Sequence, residues 1–66
     1  MAILKVIEVM ANSTDSFEGA IRNAVKQAGK SVKNIRSAYV SEQSVLVNGD
    51  NVTEFRVNVK ISFEVQ

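Results

Sequence analysis

Phe55, Val57, Val59, Ile61, Phe63 and Val65 alternate with Glu54, Arg56, Asn58, Lys60, Ser62, Glu64 and Gln66. A period of two over this length makes a strand with one dry face and one wet face. The apolar residues Phe17, Ala20, Ile21, Ala24, Val25 and Ala28 recur instead at i, i+3, i+4, i+7, i+8 and i+11, which places them in one stripe on a helix. Glu18, Arg22, Asn23, Lys26, Gln27 and Lys30 take its other side. Three alanines in the stripe let this helix lie close to what it covers.

The flanking segments complete the order. Ile3 to Met10 is rich in β-branched residues and apolar on both faces, with Lys5 and Glu8 pointing opposite ways, as in a short strand covered on both sides. Ala11-Asn12-Ser13-Thr14-Asp15 has the chemistry of a helix start, with Ser13 as the expected cap and Asp15 and Glu18 in the positive first turn. Gly29, with Lys30 and Lys33 after it, supplies the stop. Val32 to Val47 is a second extended segment with imperfect alternation. Asn48-Gly49-Asp50-Asn51 is a hairpin turn, because Asn and Gly tolerate the positive φ that tight turns require. The expected fold is α+β: one β-α-β-β domain over residues 1–66, its three-stranded antiparallel sheet wrapped around one helix.

Strand and helix lengths disagree. Strands of about 13 residues span roughly 43 Å, whereas a helix of about 16 residues reaches roughly 24 Å. One helix leaves about half of the apolar face from Phe55 to Val65 wet, and exposed apolar patches of that kind mark interfaces. Composition points the same way. A chain of 66 residues without cysteine or histidine has neither disulfides nor the usual zinc, copper or iron ligands to steady a small core. Oligomerisation is the remaining support.

The same composition narrows function. Eight basic residues against seven acidic ones, with no run of one sign, argue against a nucleic-acid partner. No apolar stretch has the length of a membrane span, and the start lacks signal-peptide features, so a cytoplasmic protein is expected. With no histidine or cysteine for acid–base or nucleophilic work, an enzyme is not expected. Asn48, Asp50 and Asn51 are oxygen donors, but a four-residue turn supplies fewer oxygens than calcium takes, so they read as turn residues.

Taken together, Lys5-Val6-Ile7-Glu8-Val9, Ser13-x-x-Ser16-Phe17-Glu18, Ala24-Val25, Asn34-Ile35-Arg36, Val40-x-Glu42-Gln43 and Phe55-Arg56-Val57-x-Val59-x-Ile61-x-Phe63 resemble the dodecin family from about Lys5 to Val65. The resemblance implies a hollow homododecamer that binds flavin, FMN or riboflavin, in stacked pairs between subunits and stores it. It also implies a tryptophan that stacks on the flavin ring; this chain has Ser37 there, with Tyr39 two residues on along the same strand. Glu42 matches the acidic position that contacts the ribityl chain, and Arg56 the polar side chain at the ring edge. Arg36, beside Ser37, is placed to stack its guanidinium on a flat ligand or meet a phosphate. The plain alternatives are a cross-strand Glu42–Arg56 ion pair, a solvated Arg36, and Ser37 as a small residue that lets subunits approach. The resulting reading is a flavin-storage shell weakened at Ser37. Its alternative is the same shell holding a phosphate-bearing cofactor or a metal ion, or serving structure alone.

Overall fold

The computed structural model describes residues 3–65. Their order is β1 (Ile3–Ser13), α1 (Phe17–Ala28), β2 (Ile35–Asn48) and β3 (Asn51–Val65). β3 lies in the centre of the sheet, antiparallel to β1 on one side and β2 on the other. The expected α+β architecture is present. Among the described residues no helix is long and apolar enough to cross a membrane.

The dry face of β3 makes the core. Val57, Val59 and Ile61 are fully buried against Ala20, Ala24 and Ala28, the small residues of the helix stripe. Register carries that face across the sheet: Ile7, Val9 and Ala11 stand opposite Ile61, Val59 and Val57 on β1, and Ala38 and Val40 stand opposite Ile61 and Val59 on β2. Phe17 closes one end of the core edge-to-face on Phe55, with ring centroids 5.1 Å apart. Val32, Ile35 and Val40 pack against the same cluster from the β2 side.

Several sequence expectations change. The helix cap is Ser16, whose Oγ accepts from the Gly19 N–H at 2.9 Å. Ser13 is still paired to Phe55 in the ladder, and its Oγ accepts instead from the Asp15 N–H of the turn at 3.0 Å. The strand therefore runs on to Ser13, and the helix is 12 residues long rather than about 16. At its far end the backbone unwinds through Lys30, Ser31 and Val32, whose N–H groups turn back onto Gln27 and Ala28, so β2 begins at Ile35 and not at Val32. Asn34 makes the reversal with φ 63°, and its carbonyl accepts from the Glu64 N–H at 3.0 Å.

The last correction concerns the wet apolar surface. None of the apolar residues from Phe55 to Val65 is exposed: the sheet wraps far enough that helix, turn and loop shield all of them in part. The uncovered apolar residues lie elsewhere. Val45, Val47 and Val52 flank the hairpin, whose Gly49 has φ 69°, and Leu4, Val6 and Met10 lie on the face of β1 that turns away from the helix. The length mismatch itself holds, since a helix of about 18 Å sits in a molecule 50 Å long.

Candidate functional site

The face of the sheet opposite the helix collects the polar chemistry. β3 sends Glu54, Arg56, Asn58, Lys60, Ser62 and Glu64 there; β1 adds Leu4, Val6, Glu8, Met10 and Asn12 through their register partners. On β2, Ser37 stands opposite Ser62, Tyr39 opposite Lys60, Glu42 opposite Asn58 and Ser44 opposite Arg56. Strict alternation would put Tyr39 and Glu42 on opposite faces. A register shift between Val40 and Glu42 inserts Ser41 as an extra residue and returns Glu42 to the face of Tyr39. The broken alternation of this segment is thus the mark of bulges, a second one leaving Arg36 unpaired between Ile35 and Ser37.

All four residues singled out from the sequence belong to this outer face, in two groups. At one end the hydroxyls of Ser37 and Ser62 are hydrogen-bonded to each other, and Arg36 grips Glu64 with its Nε at 3.0 Å and an Nη at 2.9 Å. Arg36 is therefore an ion-pair partner in one copy while its side chain stays exposed to solvent. Nearer the middle, the Arg56 Nε donates to Asn12 Oδ1 at 3.0 Å, and the Asn12 amide donates to Glu54 at 3.4 Å. The alternative Glu42–Arg56 ion pair does not form within one copy, because the register sets Glu42 against Asn58 and Arg56 is drawn across to β1. Glu42 is exposed and has no hydrogen-bond or ion-pair partner among the described residues.

The two groups stand apart. Ser62 and Arg56 are six positions from each other on β3, roughly 20 Å at the rise of a strand. A single small ligand on one copy cannot touch both Ser37 and Arg56. Between them the Ser41 hydroxyl shares its one proton between Glu8 at 3.2 Å and the Asn58 carbonyl at 3.1 Å, tying the bulge to the neighbouring strands. Asn12 is the participant that sequence reading missed. It lay in what looked like helix-start chemistry, and only the pairing of residues 44 positions apart brings it to Arg56.

Tyr39 is 67% exposed on this face beside Ser37. It is the aromatic ring available there, and no group of three or more acidic side chains able to hold a metal ion exists within one copy among the described residues. A surface of oxygens and one open ring, strung along a sheet and flanked by the apolar side chains of Leu4, Val6 and Met10, suits a ligand held between copies.

The dodecin family model matches residues 3–66. The chain belongs to the dodecin family. Over its whole length it is 35% identical to the calcium dodecin of Mycobacterium tuberculosis (strain ATCC 25618 / H37Rv), matching 93% of that protein. The crystal structure of that bacterium's calcium dodecin, described as a calcium-chelating antigen with a novel calcium-binding site, shares its fold at a TM-score of 0.84 and 34% identity, over 97% of this chain and 91% of that one. Dodecin from Streptomyces coelicolor gives a TM-score of 0.93 at 25% identity, over 98% and 93% of the two chains. Dodecins are small ligand-binding proteins.

Proposed function

We propose that this dodecin assembles into a homododecameric shell that sequesters a small ligand on the outer sheet face between copies, and that the ligand is a hard divalent cation of the calcium type. The observation that carries the reading is the oxygen-lined outer face. Ser37, at the position where the resemblance implies the stacking ring, is hydrogen-bonded to Ser62, and Glu42 presents a carboxylate with no partner among the described residues. Calcium takes six to eight oxygens, so Glu42, Glu8 and neighbouring hydroxyls of one copy complete a site only with the oxygens of another. The full-length likeness to a calcium dodecin supports the same ligand class.

The test is calcium titration of the assembled, chelator-treated protein by calorimetry, beside riboflavin and FMN fluorescence quenching. Saturable calcium binding that Glu42→Gln weakens at least about tenfold supports the proposal, one decade being about 1.4 kcal/mol. No calcium binding at millimolar concentration, or a light-scattering mass of one 7.2 kDa chain, overturns it.

One observation favours a second reading. Tyr39 is open to solvent on the face that holds Ser37, Glu42 and Arg56, so a flavin stacked on Tyr39 across the interface is the alternative cargo. Arg36 and Arg56 then serve its phosphate or ring edge, and quenching of added flavin in proportion to subunits distinguishes it.

A further inference from the structure

β2 and β3 are joined by a two-residue loop. Asn48 and Asn51 form the last rung of their ladder, which leaves Gly49 and Asp50 between them. Gly49 has φ 69° and Asp50 does not share the positive region, the pattern of a type II′ turn with glycine at its first position. The Gly49 N–H lies beyond the ladder and has no hydrogen-bond partner among the described residues. The Asn48 carboxamide has none either; the nearby side-chain bond runs from the Thr53 hydroxyl to the Leu46 carbonyl at 3.2 Å. All four residues from Asn48 to Asn51 are exposed, and nothing stands within 4 Å of where a Cβ on Gly49 would sit.

The other asparagines are placed differently. Asn12 accepts from Arg56 and donates to Glu54, Asn23 donates to the Asn12 carbonyl from within α1, and Asn58 sits in the central strand. Asn34 and Asn51 are exposed, but the β-branched residues Ile35 and Val52 follow them. A branched side chain crowds the backbone nitrogen of its own residue, whereas glycine leaves that nitrogen open and its backbone free to turn. Asn48 alone combines a following glycine, an unengaged carboxamide and full access to water.

We propose that Asn48 is a site of spontaneous deamidation that recharges the hairpin as the protein ages. The Gly49 nitrogen, giving up its proton to a base in the water, attacks Cγ of the Asn48 carboxamide. The new N–C bond closes a five-membered succinimide as the bond to the amide nitrogen breaks, and that nitrogen takes up a proton and leaves as ammonia. Water then opens either carbonyl of the ring, giving aspartate or isoaspartate, with no oxidant or cofactor consumed. Either product sets a second carboxylate beside Asp50 and removes the chain's net charge of +1. Isoaspartate also adds a methylene to the backbone at the rung that closes the ladder, next to the exposed Val47 and Val52. Glu42 lies six positions back along β2, roughly 20 Å away, so the modification does not depend on the ligand of the outer face.

The experiment is incubation of the assembled protein at neutral and mildly alkaline pH, followed by peptide mapping in a mass spectrometer. Methyl transfer from S-adenosylmethionine by a protein isoaspartyl methyltransferase reads the isoaspartate product. A free peptide containing Val47-Asn48-Gly49-Asp50 is incubated alongside to set the time scale. Asn48 is expected to gain about 1 Da. It should convert at least about tenfold faster than any other asparagine, a barrier difference of about 1.4 kcal/mol. The rate should rise with pH, and Asn48→Ser should abolish methyl transfer. Serine is itself a turn residue, so Asn48→Ser keeps the hairpin; circular dichroism and light scattering verify that. No conversion of the protein in the time that converts the peptide overturns the proposal. So does equal conversion at Asn51, or a rate that does not rise with pH, since the attacking nitrogen must first lose its proton.

Discussion

β3 offers its two faces on the same alternating pattern, and they end in opposite physical states. The helix-side face is complete within one copy: Val57, Val59 and Ile61 have no exposed surface, and the three alanines of α1 close over them. The outer face is complete only in part. Arg36 holds Glu64, Asn12 holds Arg56, and the serine pair holds itself, while Glu42, Tyr39 and the apolar residues of β1 stay open. Periodicity decides which residues share a face. What a face is for depends on whether the same chain also supplies its cover.

The sharpest way to break the helix-side face is Ile61→Ala. Removing a fully buried side chain leaves a cavity that the neighbouring strands cannot fill, with an expected loss of about 3 kcal/mol or more in chemical denaturation. An equal change at the outer face, Ser62→Ala, should cost far less, and a comparable loss there would contradict the division between the faces.

Ser37→Trp probes the outer face directly. If the rest of a flavin pocket survives, restored stacking raises riboflavin affinity at least about tenfold. Unchanged affinity in fluorescence quenching would show that the face has been remodelled for another ligand. Ser16→Ala removes the observed helix cap and is expected to cost about 1 kcal/mol. Ser13→Ala should cost less because Ser13 bonds the turn, and reversal of that order in thermal melts would return the cap to Ser13.

The smallest effect is expected from Arg36→Ala. Its pair with Glu64 is more than half exposed on the arginine side, at 56%, so solvent screens it and the loss should stay below about 1 kcal/mol. A larger loss in the assembled protein would mean that the pair is buried between copies.

Much of the fold was legible from local pattern. The order of elements, the helix stripe and the dry face of β3 follow from period and from turn residues, and those signals need no partner. The candidate site was legible only as a set of residue types. Ser37, Glu42, Arg36 and Arg56 do share a face, yet alternation alone separates Tyr39 from Glu42, and nothing local pairs Arg56 with Asn12. Register is the reason: it is settled by the long ladder between strands, and one extra residue at Ser41 reverses the facing of everything after it.

The sequence by itself determined that this chain is a three-stranded, one-helix domain with more sheet than its helix can span, near-neutral and without a tryptophan. Only the tertiary structure decided where the consequences fall. It moved the cap to Ser16, shifted the uncovered apolar surface to the hairpin and to β1, and joined Arg56 to Asn12 across the sheet. Periodicity is a property of neighbours along the chain, whereas caps, cover and side-chain pairing depend on which distant segments the folded sheet and helix bring side by side.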